Sequence, residues 1–380
     1  MVFNLSNLFF KFYLFLILLF KFKKINLNFF NYFFFDNIFL IFISLLFVVS
    51  ILVSVAFFTL LERKKLASFQ RRKGPNVEGG FSGILQPIAD GVKLVFKEVV
   101  LPNNSFSLTF ILSPLVAFCL GFASWCFLPF GNNVLANINY GIFFIFIISV
   151  LHVYSIILAG WSSNSKYSFF GALRSSAQLI AYDLSMGLII LTLLIPVKSF
   201  SLLDIVFFQE NVGWFIFYYP ILFIIFFVCS LAETNRHPFD LPEAEAELVS
   251  GYNVEYSALG FALFFLGEYA SILFMSMFIC NLFLGGTWTP LYQFNYLQNL
   301  SIKEFCFLLF FMFFSFLKFI IIIFMFLIAR AIIPRYRYDQ LMHIGWKFIL
   351  PLVLSIFFYN LVSFYYFYDN VFTLNFKIFF

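Results

Sequence analysis

Eight apolar stretches, at residues 38–60, 108–130, 141–160, 178–196, 214–231, 256–284, 305–328 and 347–367, leave this 380-residue chain few ways to fold. The hydrocarbon core of a bilayer is about 30 Å thick, and roughly 20 apolar residues of helix cross it. A transmembrane barrel would show short segments of alternating character instead. The expected fold is therefore all-α, a polytopic transmembrane helix bundle of about eight spans filling residues 38–367. With 63% hydrophobic and 11% charged residues, no stretch fits a soluble domain. Residues 1–37 form an N-terminal extension whose apolar run, Phe12 to Phe20, is bounded by Lys11 and by Lys21, Lys23 and Lys24. That run is too short to span comfortably, so a removable targeting signal and an interfacial helix stand beside a ninth crossing as readings. Residues 368–380 form a C-terminal tail. The 66 phenylalanines, with many Ile, Tyr and Asn, suggest an AT-rich coding sequence of the kind found in organelle genomes.

The basic residues fall on one side. The segments after spans 1, 3, 5 and 7 carry fifteen Lys and Arg, against three after spans 2, 4, 6 and 8. Positive charge is retained on the cytoplasmic or matrix face, so the loops at 61–107, 162–177, 232–255 and 329–346 are expected to share that face.

Ala232 to Tyr256 holds six of the eighteen acidic residues: Glu233, Asp240, Glu243, Glu245, Glu247 and Glu255. Packing needs no such density of carboxylates at the mouth of membrane helices, so they read as a site for protons or cations. Arg236, four residues before Asp240, is expected to pair with loop carboxylates. The loop at 61–80 contains Arg63, Lys64, Lys65, Arg71, Arg72 and Lys73, which could simply anchor to anionic lipid; its GPN turn and Glu62 argue for more. Residues 83–98 place Ile84, Ile88, Val92, Val95 and Val99 at helical spacing, with Asp90, Lys93 and Lys97 opposite. That pattern predicts an amphipathic interfacial helix, lying along the membrane or closing a cavity. Asp183 is expected about one and a half turns into span 4, where a carboxylate costs roughly 2.5–3.5 kcal/mol unless it meets water or a partner. Glu268 and Lys318 lie inside spans 6 and 7. In the loop Arg330 to Lys347, Tyr336, Tyr338 and Asp339 are interleaved with basic residues. A lipid or docked protein suits that juxtamembrane position better than nucleic acid.

Cys119, Cys126, Cys229, Cys280 and Cys306 lie in apolar runs without CxxC spacing, and His152, His237 and His343 are scattered. Neither a metal site nor an iron–sulfur ligand set is expected. Gly79 and Gly80 follow no strand and open no phosphate-cradling helix, so a nucleotide or redox centre would sit on another chain.

The motifs LERK, QRRKGPN, LQPIADGVKL, AGWSSNSKY, GALRSSAQ, AETNR, PFDLPEAEAELVSGYNVEY and PRYRYDQLM, in this order, resemble the heel-subunit family of proton-pumping NADH:ubiquinone oxidoreductase, respiratory complex I, of the mitochondrially encoded type. The resemblance covers roughly residues 38–367. It implies an eight-helix subunit of the mitochondrial inner membrane that joins the membrane and peripheral arms, shapes much of the ubiquinone cavity and starts the proton-coupling path. By position, it implies an acidic relay of Asp183, Glu233, Glu243, Glu245, Glu247, Glu255 and Glu268. It also implies a quinone cavity and entrance formed by Arg63, Arg72, Asp90, Arg174, Arg236, Asp240, Phe265 and Arg330. Asp183 departs from the family's usual Glu by one methylene, and the extension before residue 38 has no assigned counterpart. No cofactor is implied on this chain: ubiquinone is substrate, and NADH, FMN and iron–sulfur clusters belong to partner subunits. The implied partners are peripheral quinone-module subunits, small neighbouring membrane subunits and membrane lipids. Two alternatives remain: the heel subunit of a membrane-bound hydrogenase, and a self-contained ion carrier, against which the lack of an internal repeat counts.

Overall fold

The computed structural model describes residues 30–77, 83–130, 134–136, 138–240, 251–286 and 302–378, with backbone alone in the helical stretches 30–43, 302–313 and 367–378. The Phe12 to Phe20 run and the carboxylates Glu243, Glu245 and Glu247 lie outside the described residues. Ten helices carry the architecture: α1 Phe30–Phe69, α2 Gln86–Phe96, α3 Ser107–Ala123, α4 Gly141–Ser162, α5 Lys166–Val197, α6 Leu202–Val212, α7 Pro220–Glu233, α8 Ala258–Phe283, α9 Ile302–Ile332 and α10 Leu350–Ile378. No strand occurs among the described residues, so the fold is all-α. Seven helical segments among these residues are long and apolar enough to cross a membrane, and α7, at 14 residues, is a shorter apolar helix. The chain divides into two compact units, residues 1–51 and 52–380. The first contributes the N-terminal part of α1, and the packing that follows belongs to the second.

The eight expected spans all find helices, with two differences. The fourth was expected at 178–196, whereas α5 begins twelve residues earlier, at Lys166. Its first turns carry Lys166, Arg174 and three serines and do not read as apolar. Their polar groups turn inward: Ser175 and Ser176 donate to the carbonyls three residues back, at 3.0 Å each, and such back-bonding lets hydroxyls sit in a helix. Asp183 is consequently mid-helix rather than near its start. The fifth span, expected at 214–231, is broken into a one-turn helix, Phe215–Tyr218, and α7, which starts on Pro220. Proline suits the first helical position because it lacks the N–H that would go unbonded there. At 14 residues α7 rises about 21 Å, short of the bilayer core.

Within the larger unit, α5 packs against α4, α7 and α10, while α3 packs against α4 and α8, and α9 lies on α8. Every residue of α8 from Ile272 to Phe283 is buried, as expected of a helix apolar on all sides. Its C-terminal carbonyls are bonded from two neighbours. Gln209 of α6 donates to Asn281 and Leu282 (3.1 and 2.9 Å) and accepts from the Gly285 N–H (2.9 Å). Lys318 of α9 donates to the Leu284 carbonyl at 2.7 Å, with its ammonium 4.4 Å from the Trp214 ring centre. A cation at a helix C-terminus is favoured by the helix dipole, so Lys318 has a structural role here. The amphipathic helix expected within 83–98 is α2, which has no buried residue.

Close backbone approach positions the 251–253 turn. A Cβ on Gly171 of α5 would lie 2.7 Å from the Gly251 Cα and 2.9 Å from the Tyr252 nitrogen. Gly171→Val is therefore expected to push this turn off α5 and to destabilise the fold by about 1–3 kcal/mol. Thermal unfolding of the purified protein checks this; an unchanged midpoint would remove the close contact as a constraint. Beyond the turn, Tyr256 stacks on Phe110 with ring centres 4.1 Å apart, and its hydroxyl lies 2.8 Å from Ser113 Oγ. Burial raises the pKa of that phenol above its ordinary value, keeping it neutral.

Candidate functional site

α1 runs without Gly or Pro to Phe69 and closes through a left-handed Arg71 (φ 56°), with Arg72 N–H donating to the Ala67 carbonyl at 2.9 Å. Two turns before this end sits Glu62, 4% exposed. Its Oε1 accepts from Arg236 at 3.1 Å and from Arg330, and its Oε2 accepts from the Tyr269 hydroxyl at 2.6 Å. The Arg236 guanidinium also lies 4.3 Å from the Tyr269 ring centre, and Phe265 packs its ring 4.5 Å from that of Tyr269. Four segments thus converge on one carboxylate: α1, the turn after α7, α8 and α9. Among the described residues Arg236 forms an ion pair with Glu62, 174 residues earlier in the chain; the loop carboxylates Glu243, Glu245 and Glu247, expected as its partners, lie outside the described residues.

The turn after α7 is folded to aim these groups. Asn235 takes a left-handed conformation (φ 49°), and the Arg236 N–H returns to the Leu231 carbonyl at 3.2 Å, a helix-terminating arrangement that bonds otherwise unpaired carbonyls. Gln178 of α5, fully buried, donates to the carbonyls of Ala232 and Phe239 at 2.9 Å each, pinning the turn at both ends. Asp240, 3% exposed, closes it with His237 at 2.9 Å and Arg335 at 3.2 Å.

Deeper in the bundle, Asp183 of α5 and Glu233 of α7 line one cavity of about 50 Å³, together with Ser124, Ser149, His152 and Ser271. Ser149 bonds both Asp183 oxygens, at 3.2 and 3.3 Å. Oε2 of Glu233 is buried without a hydrogen-bond partner. A cavity of this size admits a few waters, and two carboxylates on it repel when both are charged. Glu268 of α8 accepts a 2.6 Å hydrogen bond from Tyr252 of the 251–253 turn, and Glu255 follows that turn, part-buried. At the exposed end, Arg63 pairs with Asp90 of α2 at 2.7 Å, both side chains more than a third exposed. Such a pair adds little stability. Arg72 bonds Gln70 at 2.8 Å, and Arg174 lies 5.8 Å from the Tyr338 ring centre.

The structure therefore brings Arg236, Arg330 and Phe265 around Glu62, places Asp183 and Glu233 on one cavity, and sets Arg63 on Asp90, Arg72 on Gln70 and Arg174 by Tyr338. Sequence reasoning left out Glu62, Tyr269, Tyr252 and Gln178 as site residues. For Glu62 a signal was present, an acid beside three basic residues at a helix end. Tyr252 and Tyr269 lie close to the acidic residues they serve, but nothing in their spacing marks them.

Comparison with known proteins bears on this arrangement. The family model described as NADH dehydrogenase matches residues 42–361. The chain is 49% identical over 316 residues to NADH-ubiquinone oxidoreductase chain 1 of Cyanidium caldarium, covering 82% of this chain and 88% of that one. It is 49% identical over 309 residues to the protein of the same name from Chondrus crispus, covering 81% and 91%. A subunit of the NADH-quinone oxidoreductase of Rickettsia africae is 49% identical over 327 residues, covering 84% and 93%.

Proposed function

Because this chain belongs to the NADH dehydrogenase family, we propose that it serves as a membrane subunit of a proton-translocating NADH:ubiquinone oxidoreductase, in the mitochondrial inner membrane, where it shapes the quinone cavity and couples quinone reduction to proton movement. It is a multi-pass membrane protein, and its relatives bear names of subunits of an oxidoreductase. The finer reading is supported above all by the sharing of one cavity by Asp183 and Glu233, with Glu233 closing the same helix whose following turn carries Arg236 onto Glu62. Arg236, which holds the Glu62 carboxylate, lies three residues along the chain from Glu233 on the cavity. Protons arriving there would pass between groups that are membrane-embedded and costly to leave charged. On this reading the apolar face of α2, with Arg63 and Asp90, borders the passage for a lipid-soluble quinone. Arg72, Arg174 and Asp240 belong to its walls, and Glu243, Glu245, Glu247 and Glu255 connect the quinone end to the relay. NADH, FMN and iron–sulfur clusters are assigned to partner subunits, with neighbouring quinone-module and small membrane subunits as contacts.

Arg236→Met tests the quinone end. Removing one cation leaves Glu62 with Arg330 alone, and breaking one partner of a buried pair costs about 3–5 kcal/mol. The expected result, normalised to assembled complex, is at least a roughly tenfold loss of NADH:quinone reductase activity with altered sensitivity to quinone-site inhibitors. Normal activity and normal inhibitor sensitivity in the assembled variant would remove Arg236 from the site.

A further inference from the structure

His152 stands on the cavity that holds Asp183 and Glu233, and no role has been given to it. It lies on α4 in the run IFIISVLHVYSIIL, whose remaining residues carry no charge. Ser149, which bonds both oxygens of Asp183, precedes it by three residues, and residues three apart share a helix face. The same face of α4 therefore presents a hydroxyl to Asp183 and an imidazole to the cavity.

The polar lining divides by element. Among the described residues, the titratable groups on the cavity are His152 from α4, Asp183 from α5 and Glu233 from α7, while α3 and α8 are flanked by only the hydroxyls of Ser124 and Ser271. Glu233 Oε2 is buried without a hydrogen-bond partner among the described residues, and part-buried His152 lines the same cavity. Buried polar groups left unbonded are costly. Space for a few waters beside both groups removes that cost and links them.

We propose that His152 is a third proton-carrying member of this cavity, passing a proton between Glu233 and Asp183 by way of cavity solvent and the Ser149 hydroxyl. The proposal rests on the relay reading of Asp183 and Glu233 given above. A neutral imidazole has one N–H to donate and one ring nitrogen to accept, so it takes a proton on one side and releases another on the other, returning to its starting charge. A serine hydroxyl relays but does not store. A carboxylate stores, but a second one in the same cavity opposes it when both are charged. The imidazole supplies a carrier whose charged form is attracted by both acids.

The test uses the whole complex in sealed vesicles, reading NADH:quinone turnover and proton uptake as a function of pH. His152→Gln keeps hydrogen-bonding capacity and removes the titration; His152→Phe keeps the ring volume and removes both. Both variants are expected to lose about tenfold or more in coupled turnover, with one titration step missing from the pH profile. Should His152→Phe fail to assemble, His152→Gln carries the test. Wild-type turnover and an unchanged pH profile in His152→Gln, while Glu233→Gln is inactive, would overturn the role of His152 and leave the relay reading standing. Activity retained in Glu233→Gln itself would overturn the relay reading, and this proposal with it.

Discussion

Glu233→Gln is expected to abolish coupled turnover in an otherwise assembled complex, lowering quinone reduction and proton translocation together by at least about 100-fold. General acid–base groups contribute on that scale, and an amide of nearly the same size removes the titratable proton without reshaping the cavity. Asp183→Asn and Glu268→Gln are expected to act in the same direction. Asp183→Glu should be the mildest of the set, since it keeps the carboxylate and adds one methylene. The measurement is NADH:quinone activity with proton uptake in vesicles, normalised to assembled complex. Wild-type values for Glu233→Gln, Asp183→Asn and Glu268→Gln alike would leave these carboxylates as hydrogen-bond acceptors only.

The second large effect belongs to Glu62, and it is one of assembly. Glu62→Ala leaves Arg236 and Arg330 facing each other without the carboxylate that both of them and Tyr269 address. Stranding buried charge in this way costs about 3–5 kcal/mol, a large share of the roughly 5–15 kcal/mol that holds a typical protein together. The expected outcome is a sharp fall in assembled complex in mildly solubilised membranes. Glu62→Gln keeps an acceptor oxygen for the tyrosine and should assemble better, with impaired quinone reduction. Normal assembly of Glu62→Ala would show that the two cations find compensation elsewhere.

Why the partners of Glu62 escaped the sequence reading is a matter of distance along the chain. Arg236, Tyr269 and Arg330, which bond it, lie 174, 207 and 268 residues away, and no spacing rule reaches that far. Hydrophobic length, by contrast, is local, and it was enough to place seven membrane-length helices, with the fifth expected span broken and short. Local reading failed where polar residues are satisfied inside the helix itself: the Ser-containing start of α5 looked like a loop, yet Ser175 and Ser176 bond carbonyls one turn back. The break at Tyr219 and Pro220 was masked by apolar residues on both sides. Within the site, the types of residue were readable and the pairings were not. Beside the acids near it in sequence, which lie outside the described residues, Arg236 finds Glu62, delivered by α1.

The bonding at the far end of α8 bears on how Glu268 experiences an electrical gradient. Gln209 and Lys318 hold the last carbonyls of this helix from two different neighbours, while Tyr252 grips Glu268 nearer its other end. Tied at both ends, α8 resists sliding along its axis, so Glu268 keeps a constant electrical depth. A unit charge crossing the whole membrane gains or loses about 2.3 kcal/mol per 100 mV, and on the proposed relay reading a proton on Glu268 would meet a fixed fraction of that work. Voltage dependence at this step would then report proton position alone, uncontaminated by motion of the protein frame.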